Sequence, residues 1–392
     1  MSLLAQKLCN AIRSVIGGVP SDFVPLHEPT FGGREKEYVL ECIETGWVSS
    51  VGSFVNRFEK DLAAYCGVKR VVATVNGTAA LHVALLMVGV ERDEEVLIPT
   101  LSFIATANAV SYIGAVPHFV DSEEITLGLD PAKLDAYLEE IADRRDDDCY
   151  NRKTGRRIRA VVPMHAFGHP MRIADLVVVA EKWGLELIED AAESLGSFVG
   201  KQHTGTFGKV SAVSFNGNKI ATAGGGGAIL TNDCDLADRV KHLTTTAKVP
   251  HSWRFFHDAT GFNYRMPNLN AALIVAQIEQ MSEFLKRKRC LAERYSEALA
   301  GLPGVDLVRE PNGTLSNYWL CTLAIDDYLE NELEKILEAT NGQGIMTRPA
   351  WEPLHTLPMY SDCPRSDLAV AEKLSQQLIN VPSGVRVIKE LD

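Results

Sequence analysis

The sequence contains no Cys-x-x-Cys pair. Its eight cysteines, at positions 9, 42, 66, 149, 234, 290, 321 and 363, stand far apart. Neither a disulfide scaffold nor a zinc ribbon is indicated, and reduced thiols in a cytoplasmic protein are expected. An apolar run long enough for a transmembrane helix is also missing. The opening MSLLAQKLCNAIRSVIGG threads Gln6, Lys7, Asn10 and Arg13 through its apolar residues, which reads as an amphipathic helix and not as a signal peptide. No membrane partner is expected. Basic charge is in deficit, with 39 Lys and Arg against 51 Asp and Glu and a net charge of −12, which disfavours a nucleic-acid partner. No Gly-x-Gly-x-x-Gly follows a strand and opens a helix, so the dinucleotide fingerprint is absent. The closest histidine pair, His165 and His169 in HAFGH, is interrupted by Gly168 and followed by Pro170, and no metal site is expected there.

What is present is a globular composition: 392 residues, 46% hydrophobic and 23% charged, enough for two or three domains or for one large α/β domain with a smaller companion. Over about the first 245 residues, short apolar runs alternate with helical patterns. Strands are expected at Val71–Val75, Val96–Ile98, Val116–Val120, Ile158–Pro163, Leu185–Ile188, Val210–Phe215 and Ala228–Leu230. Helices are expected at Gly77–Val88, Ile104–Tyr112, Pro131–Ala142, Ile173–Trp183 and Asp235–Leu243. This order predicts a mostly parallel sheet covered on both faces by helices, with ligands at the carboxyl ends of the strands. The charge-rich segment Arg144–Arg159 reads as a solvated surface excursion. Beyond residue 245 come a loop with HSWRFFHDATGFNYRMPN, a long helical run from Leu269 towards Leu299, a strand at Tyr318–Ile325, and helices at Glu330–Thr340 and Asp367–Leu378. They suggest a smaller α+β unit.

The chemistry concentrates between Leu185 and Leu230. LELIED ends one strand with Asp190, and VSAVSF runs through NGNK, carrying Lys219, into a glycine-rich loop. A lysine alone after a strand is most often a surface residue. Paired with a strand-end carboxylate it matches a Schiff base to pyridoxal phosphate, in which the carboxylate keeps the pyridine nitrogen protonated. Strand VVATV leads into Asn76-Gly77-Thr78 and a helix, where first-turn N–H groups and the Thr78 hydroxyl would face an anion; taken alone, an ordinary helix cap is the preferred reading. Phe103, just after the next strand, is suited either to stacking on a ring or to the core.

These residues lie in segments that resemble a known family. SFNGNK with TAGGGG, EDAAESLG, VNGTAAL, PTLSFIATANAV and GFNYRMPNLNAA together are similar to the DegT/DnrJ/EryC1/StrS family of pyridoxal-phosphate sugar aminotransferases, over about Leu26 to Pro382. The resemblance implies a type I aminotransferase fold, with a three-layer αβα large domain and a smaller α+β C-terminal domain. The implied division is an N-terminal helix and lead-in at 1–25, a large cofactor-binding domain at 26–245, and an interface loop with the small domain at 246–392. It also implies a homodimer with shared active sites. Lys219 is then the Schiff-base lysine and Asp190 the partner of the pyridine nitrogen, while Phe103 stacks on the ring. Gly77, Thr78 and Ser214 hold the phosphate with Asn263 of the second subunit. Glu193 stands where many relatives have His or Gln, and the loop reads GGGG where many have GEGG.

Some family members replace the lysine by His and dehydrate a sugar; Lys219 points instead to transamination, with L-glutamate as the implied donor. The segments GGREKEYVLECIETGWVSSVGSFVNRFE, HFVDSEE with LGLDP, and SFNGNKIATAGGGG are most similar to the subgroup acting on UDP-linked 4-keto-6-deoxy-N-acetylhexosamine, of the legionaminic acid or bacillosamine type. A GDP- or dTDP-linked 4-keto-6-deoxy sugar is the alternative substrate, and a non-catalytic regulatory relative the alternative role. For the sugar and diphosphate, His165, Asn317, Arg348 and His355 are candidate contacts on loops, each of which could equally be solvated or structural.

Overall fold

The computed structural model describes residues 2–17, 23–326, 329 and 332–387. The opening segment forms the helix Leu3–Ile16, capped by Ser2, whose Oγ accepts from Ala5 N at 3.2 Å. Its buried stripe Ala5, Leu8, Cys9, Ile12 and Val15 follows the three-to-four residue helical period. That stripe packs on the helices Met281–Leu299 and Leu333–Gly342. No described helix is long and apolar enough to cross a membrane.

A nine-stranded mixed sheet forms the centre. Five strands run parallel, in the spatial order Val210–Ser214, Glu186–Asp190, Arg157–Val161, Glu95–Pro99, Val116–Val120. Antiparallel Gly227–Thr231 and then Arg70–Thr74 extend the first edge. One face is covered by Gly77–Met87, Ala105–Ile113 and Cys234–Thr244, the other by Ser53–Cys66 and Asn268–Ile278, with Pro131–Ile141 and Ile173–Trp183 over its far end. These layers follow the expected pattern because strands such as Glu95–Pro99, buried throughout, need cover on both faces. The helices Glu35–Thr45 and Ser53–Cys66 add to those the sequence predicts.

Two expectations need correction. The charged segment around Arg144–Arg159 is not a mere excursion: Ala142–Arg145 and Asp148–Asn151 form a hairpin that pairs with Arg157–Val161 and adds two strands to the sheet. It is anchored by Glu95, a buried carboxylate that accepts from Asn151 Nδ2 at 2.9 Å and Thr154 Oγ1 at 2.6 Å. The long helical run is two helices, Asn268–Ile278 and Met281–Leu299. They divide where Glu279 turns to Tyr38 and Arg57, and Gln280 to Glu35.

A second, four-stranded antiparallel sheet runs Val305–Leu307, Cys321–Ile325, Leu378–Val381, Arg348–Pro349. Of the helix expected at Glu330–Thr340, Glu330 and Asn331 lie outside the described residues. The cavity discussed next lies where this sheet meets the carboxyl ends of the parallel strands.

Candidate active site

Asp190 closes its strand and Ser214 closes the neighbouring one, and the chain after Ser214 turns back through Lys219. These three residues line a cavity of about 670 Å³ together with Asn76, Gly77, Thr78, Phe103 and Glu193. Asp190 is only 3% exposed. Thr106 Oγ1 donates to its Oδ2 at 2.8 Å and Ala192 N to its Oδ1 at 3.2 Å, so its orientation is fixed at the cavity floor. Lys219 Nζ donates to Glu193 Oε1 at 3.2 Å and sits 3.9 Å from the centre of the Trp319 ring. Trp319 is in turn held by its indole N–H, which donates to Asn218 O at 2.7 Å.

The turn at Asn76 is a capped helix start that lines the cavity. Asn76 Oδ1 accepts from Ala79 N at 2.8 Å, which leaves the first-turn N–H groups of Gly77 and Thr78 without partners inside the helix. Glycine is required at 77, since a Cβ there would lie 2.9 Å from the Ser214 Cβ. The last glycine of the GGGG loop now has a reason as well: a Cβ on Gly227 would lie 2.4 Å from the Asn76 carbonyl and 2.7 Å from Gly77 N. Strand Gly227–Thr231 therefore passes directly under this turn.

Glu193 also accepts from Phe167 N at 2.9 Å. Burial pushes its carboxyl up to about 7, against the pull of the Lys219 ammonium. The folded protein thus keeps a proton that the unfolded chain releases near 4.5, and stability falls as pH rises through that window. In Glu193→Gln the cofactor-free protein should lose this slope, changing the stability difference between pH 5 and pH 8 by at most about 3 kcal/mol. Denaturant melts at the two pH values check it; identical slopes for wild type and variant would refute the raised carboxyl.

A buried carboxylate, a lysine, an exposed aromatic ring and a helix N-terminus around one cavity fit pyridoxal phosphate. The sequence profile of the DegT/DnrJ/EryC1/StrS aminotransferase family matches residues 29–391. The chain belongs to this family. It is 37% identical over 375 residues to the GDP-perosamine synthase of Caulobacter vibrioides, covering 93% of this chain and 96% of the relative. It is 35% identical over 369 residues, 93% of this chain and 92% of the relative, to EpsN of Bacillus subtilis, described provisionally as a pyridoxal phosphate-dependent aminotransferase. The crystal structure of DesI with its TDP-sugar product superimposes with a TM-score of 0.81 at 28% identity, over 97% of this chain and 94% of that one. The fold is thus the type I aminotransferase fold, and the protein is a pyridoxal phosphate-dependent nucleotide-sugar aminotransferase.

Of the four loop residues expected near the aminotransferase's sugar, only Arg348 lines the cavity. The other three are buried and committed elsewhere. His165 Nε2 meets Glu189 Oε2 at 3.1 Å while its Nδ1 accepts from Met171 N. Asn317 Nδ2 donates to the carbonyls of Glu193 and Leu195. His355 pairs with Thr100 Oγ1 at 2.9 Å and Glu372 Oε1 at 3.1 Å. Polar loop residues are often consumed in satisfying the backbone of their own loops, and the sequence carries no mark of this. Asn263 is exposed, does not line this chain's cavity, and accepts from Arg265 Nη2 at 3.1 Å. Sequence reasoning missed Trp319, Thr106 and the stacked pair Phe167 and Trp351, whose rings lie 4.5 Å apart on the cavity wall. Phe167 has φ +56°, an uncommon conformation for a bulky residue that aims its N–H at Glu193.

Proposed function

We propose that the enzyme moves the amino group of L-glutamate to the C4 ketone of a nucleotide-linked 4-keto-6-deoxyhexose. The observation that carries this reading is the meeting of Lys219, Asp190 and Glu193 beside an apolar wall of Phe167, Trp351 and Met346 in one cavity. Pyridoxal phosphate, when bound, supplies a carbonyl that exchanges with amines and a ring that withdraws electrons. Asp190 holds a proton on the ring nitrogen. Gly77, Thr78 and Ser214 hold the phosphate, and Phe103 covers the ring. Lys219 Nζ carries a proton to and from the substrate carbon that bears nitrogen, and Glu193 shares that proton across 3.2 Å. The apolar wall suits the methyl group of a 6-deoxy sugar and keeps water from the reacting carbon. Arg348, at the cavity rim with its Nη1 3.3 Å from Asn341 Oδ1, offers a guanidinium to the diphosphate.

Two nucleotides are carried forward. The name of the Caulobacter relative favours GDP; the segments GGREKEYVLECIETGWVSSVGSFVNRFE and HFVDSEE favour a UDP-linked N-acetyl sugar. Purified enzyme with glutamate and a panel of UDP-, GDP- and dTDP-linked 4-keto-6-deoxy sugars tests both: one nucleotide should lead by at least roughly tenfold in kcat/KM, and failure with all of them would overturn the C4-amination reading.

A homodimer is part of this proposal. Trp253 and Phe255 are 82% and 79% exposed and Phe256 is 54% exposed, while Phe262 and Tyr264 stack on their own chain. Three large exposed aromatics on one loop call for cover, and a second subunit supplies it. Asn263 then reaches the partner's phosphate. Mixing Lys219→Ala with Asn263→Ala subunits should restore activity, because one site of the heterodimer draws Lys219 and Asn263 from different chains and has both intact. Subunit exchange without recovery, verified by tagged co-purification, would remove the shared site.

A further inference from the structure

His27 lines the same cavity as Lys219, Glu193 and Trp319, yet it stands apart from them in one respect. Both of its ring nitrogens are buried and neither has a hydrogen-bond partner among the described residues. The other buried polar groups of the wall are engaged: Asp190 with Thr106, Glu193 with Phe167 and Lys219, and Asn380 Oδ1 with Thr322 at 2.8 Å. A buried polar group without a partner costs free energy that a bound ligand can return.

The residue is held firmly in the wall. Val24 exchanges backbone hydrogen bonds with Gly344 and Met346 at 2.8 and 3.0 Å, and Leu26 O accepts from Ser383 N at 2.7 Å, so both flanks of the segment are sewn to the chain beside the small sheet's last two strands. Burial, reinforced by the nearby ammonium groups of Lys288 and Lys219, keeps the His27 imidazole well below its ordinary pKa and hence neutral. Lys288 gives it no bond, since its ammonium donates to Trp319 O at 2.8 Å and to Ser383 O. A neutral imidazole offers one donor and one acceptor, which is what a hydroxyl group can receive and return. Its χ2 is a broad, roughly two-fold torsion, so the ring can reorient when a ligand binds.

We propose that His27 is a specificity-determining residue that hydrogen-bonds the sugar hydroxyl adjacent to the reacting ketone. This rests on the C4-amination reading. In a 4-keto-6-deoxyhexose, C5 carries the methyl-bearing side and C3 the only hydroxyl flanking the ketone. His27 shares the cavity wall with Lys219, and with C4 at the lysine the C3 hydroxyl is the one group flanking the ketone that can both donate to and accept from an imidazole.

The test compares wild type, His27→Leu and His27→Gln in the separate half-reactions. The glutamate half-reaction, followed by the change in the cofactor's visible spectrum, should be equal in all three. With the nucleotide-linked 4-keto-6-deoxy sugar that the panel selects, kcat/KM should fall roughly ten- to a hundredfold in His27→Leu, and Gln, which keeps a donor and an acceptor, should recover most of it. The 3-deoxy analogue should be a poor substrate for wild type and no poorer for His27→Leu. Full sugar activity in His27→Leu, an equal loss towards the 3-deoxy analogue, or a matching loss in the glutamate half-reaction would each overturn the assignment. If wild type reacts with glutamate but with no 4-keto sugar, it is the substrate reading that fails, and the His27 assignment falls with it.

Discussion

Lys219→Ala should lose turnover by at least roughly 10³-fold, because one side chain both anchors the cofactor and moves the proton. The purified variant should also lack the visible band of lysine-bound cofactor. The fold should persist. Lys219 lies in a turn closed by its own backbone, Lys219 N donating to Asn216 O at 3.0 Å, and alanine leaves that bond in place. The cost of the change falls on Glu193, which loses its cation across 3.2 Å. With burial already pushing its carboxyl up to about 7, the group answers by taking a proton instead of unfolding the site. Circular dichroism and a melting profile close to wild type, together with loss of the band and of activity, are the expected set of results. Retained activity would remove Lys219 from its role.

Lys219 and Asp190 were legible in the sequence because both follow from periodicity: a run of apolar residues ends, and a charged side chain appears where a parallel sheet presents its carboxyl edge. The phosphate turn was legible for the same reason, since Asn76, Gly77 and Thr78 join a strand to a helix. Trp319, Phe167, Trp351 and His27 were not. They come from segments distant in sequence and meet only when the small sheet is laid against the large one. The hairpin Ala142–Asn151 escaped notice because Asp143, Arg144, Arg145 and Asp148 hide the strand pattern, and only Cys149 and Asn151 of its second strand are buried. At His165 the structural alternative has a specific cause. The neighbouring Glu189 is a fully buried carboxylate that takes backbone hydrogen bonds from Gly205, Phe207 and Gly208, and the imidazole completes its shell. One residue along the same strand, alternation turns Asp190 to the cavity. Two adjacent acids thus divide into a structural and a functional one, and only the sheet's two faces tell them apart.

Asp190→Asn isolates the electrostatic part of the chemistry from the shape of the site. Thr106 Oγ1 also contacts Ser102 Oγ at 2.9 Å, so its hydroxyl can turn to accept from the new amide while the amide oxygen keeps the bond from Ala192 N. The asparagine can therefore occupy the aspartate's position with its hydrogen bonds paired, and the fold should be unaffected. What is lost is the negative charge. Without it the ring nitrogen is not held protonated, the ring withdraws electrons less, and removal of the proton from glutamate's Cα becomes slower. The expected fall in the glutamate half-reaction is roughly 10²- to 10³-fold, the range that loss of one preorganised electrostatic group in a dry site produces. Cofactor affinity should change far less, because Gly77, Thr78 and Ser214, which line the cavity, would still hold the phosphate. Single-turnover spectra with glutamate and a cofactor dissociation constant on the same preparation separate the two effects. A variant that binds and reacts like wild type would show that Asp190 does not hold the ring nitrogen, and a variant that merely fails to bind cofactor would make its role one of retention.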